Sequence, residues 1–214
     1  MYRVEVQPNM VFDIPESWTT TGDYISSFRK KYRDRYKTAR KKGFTIVKKE
    51  LTLVEIEALE ADLFQLYKMV SDGAGVNSFV LPRDHFSHLK KALNTQFKIF
   101  AYFLDNKLVG FYTLILNNNN LETYFLGYNK NLQHKHQLYL NMLYDMAFYA
   151  IENHCVQVIY ARTAMEIKSS VGARPRNMHI YMKHTNNFIA NTILKIIVRY
   201  LNPTTAWQER HPFK

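Results

Sequence analysis

The sequence has little cysteine and glycine, and it lacks a long uninterrupted apolar run. One cysteine, Cys155, in 214 residues excludes an intrachain disulfide framework and fits a reducing compartment. The first residues contain no apolar core of the length that a secretory signal needs. The most apolar late segment, NTILKIIVRYL, contains Lys195 and Arg199 and falls short of the roughly 18 clean residues that a membrane span requires. We therefore expect a cytoplasmic protein, with peripheral membrane contact through its basic surface left open.

The sequence also lacks the motifs of several enzyme classes. It contains neither a GxSxG nucleophile elbow nor a Walker phosphate-binding loop. His134 and His136 have metal-like spacing, but no cysteine or carboxylate lies near them in sequence, which argues against zinc. We expect no metal site and no tightly bound cofactor. The length indicates one medium domain, or a core domain with an appendage.

Acidic residues are scarce in one stretch, FRKKYRDRYKTARKKG, from Phe28 to Gly43. Nine of its sixteen residues are Lys or Arg and only Asp34 is acidic, so it supplies eight charges of the formal net charge of +11. The rest of the chain has 20 basic and 17 acidic residues. A phosphate-bearing partner should therefore contact this one segment, whereas a DNA-binding protein is expected to be basic over a broader surface. We expect no specific DNA partner.

The same region has helical periodicity. Its apolar residues recur at three- and four-residue steps, at Ile25, Phe28, Tyr32, Tyr36 and Ala39. This pattern predicts an amphipathic helix over residues 23–43 that docks through the apolar stripe and ends at Gly43. The basic residues occupy the rest of the circumference. Because the stripe alone should hold the helix, changing Arg33, Lys37 and Arg40 to Glu is expected to leave stability nearly unchanged while weakening phosphate binding. The predicted phosphate ligands are Arg33, Lys37 and Arg40.

The rest of the chain alternates between predicted helices and strands. GFTIVKKEL is a predicted strand, and Thr52 with Glu55 forms a capping box for the next helix. Three strands joined by short turns then predict an antiparallel meander, at Lys98–Leu104, Leu108–Leu116 and Leu121–Tyr128. The remaining predicted elements are a helix over residues 137–153, a strand at Val156–Ala161, a short helix in TAMEIKSSVG, a strand in MHIYMKH and a helix at Phe188–Leu201.

This order of elements resembles the GNAT acyltransferase fold, and within it the Fem-type peptidoglycan-bridge transferases and their bacterial acyltransferase relatives. Three stretches carry the resemblance: SSFRKKYRDRYKTARKKG, LVGFYTLIL with LETYFLGYN, and ARTAMEIKSSVGARP. The resemblance implies an α/β domain whose mixed sheet combines the meander with a splayed parallel strand pair, with helices on both faces. It also implies that residues 1–22 are a lead-in from a missing domain and that residues 23–214 form the acyltransferase domain.

The resemblance further implies N-acyl transfer to an amine, with a cell-envelope precursor as a candidate acceptor. Lys168 would position the charged end of the donor and stabilise developing charge, and we expect its side chain to be solvated. Glu122 is the expected base and Tyr128 the expected acid, because two-residue alternation would put both on one strand face. The cations expected to surround Lys168 are Arg162, Arg174 and Arg176.

The start of the long helix departs from the resembling family. Relatives that use acyl-CoA hold its pyrophosphate on a glycine-rich turn, but NKNLQHKHQLYLN contains no glycine. His134 and His136, with Lys130 and Lys135, are the alternative phosphate ligands there. The donor therefore stays open between acyl-CoA and aminoacyl-tRNA, with tRNA as the corresponding partner. A non-catalytic phosphate- or RNA-binding module on the same fold is the second hypothesis.

Overall fold

The computed structural model describes residues 2–73, 79–185, 188–201 and 206–214. Its strands are β1 (Tyr2–Asp13), β2 (Val47–Glu50), β3 (Phe97–Leu104), β4 (Lys107–Asn117), β5 (Asn120–Tyr128), β6 (Gln157–Ile159) and β7 (Arg174–Met182). Its helices are α1 (Thr21–Ser27), α2 (Lys30–Lys42), α3 (Leu53–Ala58), α4 (Glu60–Ser71), α5 (His85–Leu93), α6 (Lys130–His136), α7 (Leu138–Glu152), α8 (Met165–Ser169) and α9 (Phe188–Leu201).

A seven-stranded sheet organises the described part of the chain, in the order β2-β3-β4-β5-β6-β1-β7. β3, β4 and β5 form the expected antiparallel meander. β6 runs parallel to β5, and the last pair in register is Glu122 with Ile159. Beyond this pair β5 continues to Tyr128 and is paired with β4 on its other side. The prediction of a mixed sheet with a splayed parallel strand pair is therefore confirmed.

Alternation along the strands divides the core between the two faces of the sheet. In β3, Phe100 and Tyr102 belong to the larger cluster, which packs under α1, α2 and α7. Ile99 and Ala101 belong to the smaller cluster, which packs under α3, α4 and α5. This two-residue period is that of a strand buried on both sides. Helices therefore cover both faces, as predicted.

β1 corrects the expected boundary between a lead-in and the domain. Tyr2–Asp13 lies within the sheet, where Val11 pairs antiparallel with Ile159 of β6 and Tyr2 pairs with Met182 of β7. The segment thus contributes an internal strand, because its pairing partners come from the far end of the chain and are invisible to local patterns. The expectation of a further domain ahead of it stays a prediction.

The predicted basic helix is broken into α1 and α2 at Phe28 and Arg29. Phe28 is extended, with φ −65° and ψ 138°, and forms an isolated β-bridge with Phe213. The Arg29 N–H donates to the Pro212 carbonyl at 2.8 Å. The carboxy-terminal tail therefore takes the place of the intrahelical hydrogen bonds at this point. The apolar stripe is as predicted, since Tyr32 and the other stripe residues pack in or against the larger cluster.

α9 occupies the predicted range but presents apolar side chains to solvent. Phe188 is 84% exposed and Ile189 is 69% exposed. Within the described ranges, no helix has the length and apolar content that crossing a bilayer demands.

α4 approaches β5 most closely at Gly127. A Cβ atom on Gly127 would lie 2.5 Å from the Leu66 carbonyl carbon and 2.5 Å from the Tyr67 amide nitrogen. Both are backbone atoms, which cannot rotate away as a side chain would. Glycine therefore permits the close helix–strand contact that holds Tyr67 beside the end of β5.

Replacing Gly127 by Ala is expected to destabilise the protein by about 1–3 kcal/mol, because the added methyl group overpacks against backbone. Urea denaturation followed by circular dichroism would measure the change in the free energy of unfolding. Gly22→Ala is the matched control, since Gly22 lies exposed in the first turn of α1 and alanine favours a helix. Equal losses in both variants would contradict the assignment of the contact.

Candidate active site

A cavity of about 390 Å³ lies where β5 and β6 stop pairing. Its walls come from α4 on one face of the sheet and from α7 and α8 on the other. The cavity therefore reaches both faces through the gap between the strands. The side chains with polar groups along its wall include Tyr67, Thr123, Tyr128, Tyr139, Tyr160 and Lys168.

A β-bulge in β5 shapes one wall of this cavity. The pairing of β5 with β4 shifts after Tyr112, so that Tyr124 and Phe125 both stand opposite Thr113. Thr113 is buried, and its hydroxyl accepts the Phe125 N–H at 2.9 Å and donates to the Phe125 carbonyl at 2.7 Å. The threonine side chain thus supplies the hydrogen bonds that the strand ladder loses, and the bulge re-aims the side chains that follow it.

The bulge separates Glu122 from Tyr128. Leu121 packs in the larger cluster, so its neighbour Glu122 faces the other side of the sheet, whereas Tyr128 packs against the larger cluster beyond the bulge. Glu122 accepts a hydrogen bond from Asn117 Nδ2 at 2.8 Å and lies outside the cavity wall. Two-residue alternation would put both residues on one face, but the extra residue of the bulge reverses it. Glu122 is therefore not positioned as a base in the cavity.

The turn from β6 into α8 has an unusual backbone. Ala161, Thr163 and Ala164 have φ values of 57°, 67° and 47°, a region in which residues other than glycine are uncommon. The Ala161 carbonyl accepts the Met10 N–H at 3.1 Å, which ties the turn to β1. Such conformations cost roughly 1–3 kcal/mol each and concentrate at functional sites.

Lys168 lies beneath this turn and corrects the expectation of a solvated side chain. It is 5% exposed, and its Nζ donates to the carbonyls of Arg162 at 2.7 Å and Ala161 at 3.3 Å. Burial lowers the pKa of Lys168 to about 7. The lysine therefore stands close to an equal mixture of charged and neutral forms near neutral pH, at the wall of the cavity.

Tyr128 is the second predicted catalytic residue that lines the cavity. Its ring centroid lies 6.0 Å from that of Tyr139 on α7. Burial raises the pKa of Tyr128 and of Tyr139, so both hydroxyls are protonated at neutral pH and can donate a proton. Sequence reasoning missed Tyr139 because it stands among the apolar residues of a core helix.

An open groove of about 730 Å³ adjoins the cavity. Thr163 and Ala164 line both spaces. The groove is lined by Lys31 and Arg35, one turn apart on α2, and by Trp207 of the carboxy-terminal tail. The groove is thus the place where the basic helix meets the neighbourhood of Lys168.

Two of the predicted phosphate ligands on α2 lie away from this groove. At 100° per residue, Arg33 and Lys37 stand about 200° around the helix from Lys31 and Arg35, and the groove wall does not include them. Both pairs were visible in the sequence as basic residues four apart. Only the docking of α2 on the domain distinguishes the two pairs.

Arg40, the third predicted phosphate ligand, is half-buried and forms an ion pair with a buried carboxylate. Its Nη1 lies 2.8 Å from Asp145 Oδ1, and its guanidinium lies 4.8 Å from the ring centroid of Phe148. Asp145 is buried and also accepts a hydrogen bond from the Tyr102 hydroxyl. The expectation that Arg40→Glu leaves stability unchanged therefore does not hold, because the buried carboxylate would lose its cation.

The start of α7 is covered by α6. The Tyr139 N–H donates to Gln133 Oε1 at 2.8 Å. A side chain therefore occupies a backbone N–H at the helix start, which a glycine-rich turn would leave free to bind a phosphate. His136 is buried and its Nδ1 donates to the Lys42 carbonyl at 3.2 Å, whereas His134 is exposed. Neither histidine lines the cavity or the groove.

The arginines expected around Lys168 are spread over three places. Arg162 lines the cavity. Arg174 lines a separate cleft beside the tail, and Arg176 pairs with Asp13 at 2.5 Å. The predicted four-cation cluster is therefore not formed, since Arg174 and Arg176 lie on β7, which pairs with β1.

Three solved structures share this fold at low sequence identity. FemX aligns with a TM-score of 0.54 and 11% identity, over 90% of this chain and 59% of that one. The C-terminal domain (DUF2156) of a putative lysylphosphatidylglycerol synthetase from Agrobacterium fabrum aligns with a TM-score of 0.56 and 9% identity, over 94% and 66%. A conserved protein of unknown function from Bacteroides thetaiotaomicron aligns with a TM-score of 0.53 and 12% identity, over 83% and 60%. The chain thus spans about three fifths to two thirds of the length of these proteins.

The sequence itself matches a family model. A comparison with curated proteins found no match, but the model described as "Acetyltransferase (GNAT) domain" matches residues 26–181. That range contains the meander, the splayed strand pair and Lys168. The chain therefore belongs to the GNAT acetyltransferase-domain family.

Proposed function

We propose that this protein is an N-acyltransferase, which moves an acyl or aminoacyl group from a phosphate-bearing donor to a primary amine in the cavity beside Lys168. One observation carries the proposal: a buried, hydrogen-bonded lysine stands at the point where two parallel strands separate. Backbone and side chains from both faces of the sheet meet there, so a donor and an acceptor can approach each other from opposite sides.

Lys168 stabilises the negative charge that develops on the acyl oxygen. An ammonium group has three N–H donors, and the carbonyls of Ala161 and Arg162 take two of them. The third can then donate into the cavity. Because burial disfavours the cation until an anion develops beside it, the interaction is stronger in the transition state than in the ground state, which is the condition for catalysis.

Tyr128 completes the proton balance of the transfer. The neutral amine attacks the acyl carbon, a C–N bond forms, and the C–S bond of a thioester or the C–O bond of an aminoacyl ester breaks. The Tyr128 hydroxyl gives its proton to the leaving sulfur or oxygen and recovers one from the acylated nitrogen through water. The net result is transfer of one proton from the amine to the leaving group.

The donor is an acyl-CoA or an aminoacyl-tRNA, both of which carry phosphates that suit the basic surface of α2. The acceptor carries a primary amine, and the resemblance to Fem-type transferases supports a cell-envelope precursor. A panel that combines acetyl-CoA, a longer acyl-CoA and alanyl-tRNA with a lysine-containing muropeptide, a polyamine and a lysine peptide tests both choices by mass spectrometry. Binding of donors without product across the whole panel would favour the non-catalytic phosphate- or RNA-binding module instead.

Replacing Tyr128 by Phe is expected to lower turnover by about 10²-fold, because it removes the proton donor while keeping the ring in place. The rate of product formation with the donor that the panel identifies measures the loss. Tyr181→Phe, at an exposed position of β7, is the control and should react normally. A loss confined to Tyr139→Phe would move the role of acid to Tyr139.

A further inference from the structure

The groove beside the cavity carries uncompensated positive charge. Glu166, the acidic residue in its wall, is paired with Arg210, whose Nε lies 3.1 Å from Glu166 Oε1. The ion pairs of the described residues do not include Lys31 or Arg35. These two side chains therefore give the groove two free cations that a dianionic or polyanionic ligand can neutralise.

The same groove has aromatic walls. Trp207 is half-buried and packs against the larger cluster. Tyr32, which lies between Lys31 and Arg35 in the sequence, also lines the groove. The tail that carries Trp207 is anchored, since the Arg210 N–H donates to Ser169 Oγ at 2.9 Å. Cations beside a held aromatic ring suit a nucleotide, whose phosphates pair with the cations and whose base stacks on the ring.

The groove leads directly to the reactive cavity. Thr163 and Ala164 line both spaces, and the carbonyls of the two preceding residues, Ala161 and Arg162, accept hydrogen bonds from Lys168. At the start of α7, by contrast, the Tyr139 N–H is already taken by Gln133. The groove therefore offers cations to a phosphate, whereas a backbone N–H is already occupied at the position where the resembling family holds a pyrophosphate.

We propose that the groove between α2, α8 and the Trp207 segment binds the nucleotide phosphates of the acyl donor, with Lys31 and Arg35 as their ligands. This inference rests on the proposed function, because the acyl end of a donor held there extends past Thr163 and Ala164 to Lys168. CoA and the 3′ end of a tRNA share the chemistry required, an adenosine that carries phosphate groups.

Isothermal titration calorimetry on the full chain tests the groove without any turnover. The probes are CoA, adenosine 3′,5′-bisphosphate and a short RNA hairpin that ends in CCA. Lys31→Glu/Arg35→Glu is compared with Arg33→Glu/Lys37→Glu, which makes the same change in net charge on the opposite side of the same helix. We expect at least about tenfold weaker binding in the first variant and less than about threefold change in the second. The salt slope for RNA should be smaller by about 1.4–1.8 in the first variant, because two phosphate contacts are lost.

Some outcomes identify which donor the groove binds, and the others show that the inference is wrong. Binding of CoA and the bisphosphate that responds to Lys31 and Arg35 identifies an acyl-CoA donor, whereas a response confined to the hairpin identifies tRNA. Equal weakening in both variants, unchanged binding in the groove variant, or no binding of any probe by the unaltered protein would overturn the inference.

Turnover separates this inference from the proposed function. Product formation with an unaltered KM for the donor in the groove variant would overturn the groove assignment and leave acyl transfer standing. If binding is lost only in the groove variant and the unaltered protein yields no product with any donor, the groove assignment is supported and the catalytic proposal is wrong. Circular dichroism of both double variants verifies that each is folded.

Discussion

Replacing Lys168 by Met is expected to lower turnover by about 10²–10³-fold, the effect of losing one preorganised donor to a developing oxyanion. Methionine keeps an unbranched apolar stem at a buried position but deletes the ammonium group. Steady-state rates with the donor found in the panel measure the loss. Lys37→Met, at an exposed position of α2, is the control and should react normally. Undiminished turnover in a folded Lys168→Met protein would remove the lysine from the catalytic assignment.

The pH dependence of the same pair of proteins identifies the form of Lys168 that acts. Burial lowers the pKa of Lys168 to about 7, so the folded protein loses this cation as the pH rises through about 7. The ratio of unaltered to Lys168→Met turnover should therefore fall between about pH 6 and about pH 8. The ratio removes the titration of the acceptor amine, which both proteins share. A ratio that rises instead would assign the neutral amine as a general base.

The burial of Lys168 also links stability to pH. The pKa is about 7 in the folded protein and 10.5 for an ordinary lysine, so between these values the unfolded chain binds more protons. The free energy of unfolding therefore rises as the pH increases from about 7 to about 10.5, by on the order of 5 kcal/mol from this site. Below about pH 7 both states are protonated and the full cost of burying the cation remains. Urea denaturation across this window should show the rise in the unaltered protein and its absence in Lys168→Met.

Replacing Arg40 by Met is expected to destabilise the protein by about 3–5 kcal/mol, the loss typical of a buried ion pair that loses one partner. Asp145 would remain buried with Lys48 Nζ at 3.8 Å as its nearest remaining cation, and three aromatic rings would lose the guanidinium that lies over them. Urea denaturation at neutral pH measures the change in the free energy of unfolding.

Two controls identify the cause of an Arg40 effect. Arg33→Met and Lys37→Met remove the same charge from the same helix without touching Asp145, and each should change stability by less than about 0.5 kcal/mol. Arg40→Met with Asp145→Leu removes both members of the pair and should recover a large part of the loss. Similar losses from all three single variants would show that the net charge of α2, rather than the buried pair, controls stability.

Short-range chemistry made several elements predictable. The capping box of Thr52 and Glu55 forms as expected, with the Glu55 carboxylate accepting the Thr52 N–H at 2.9 Å. The turn between β3 and β4 has positive φ at Asp105 and Asn106, 49° and 60°, which these residue types tolerate well in two-residue hairpins. Such signals act within a few residues, so a single sequence is enough to locate them. The same is true of the apolar alternation that defined the meander.

The candidate site was predictable in its central residue but not in its surroundings. The order of elements located Lys168 near the splayed strand pair, and Tyr128 near the end of β5. The groove ligands Lys31 and Arg35 could not be separated from Arg33 and Lys37, because an isolated helix has no preferred face among basic residues. Arg40 could not be recognised as a structural residue until α7 placed Asp145 beside it.

By itself, the sequence determined the meander, the helical stripe of α2, the range of α9 and the family order of elements, because hydrogen bonding and apolar periodicity operate between near neighbours. Only the tertiary structure decided that Tyr2–Asp13 fills the sheet between β6 and β7, and that the tail breaks the basic helix at Phe28. It also decided that the bulge turns Glu122 away from Tyr128, and that Lys168 is buried under two carbonyls of the preceding turn. The strand pairings and the tail contact join residues distant in the chain, so they become definite only when the sheet assembles and excludes water. The partners of Lys168 are six and seven residues away, but the turn that carries them is tied to Met10 of β1, which is distant in the chain.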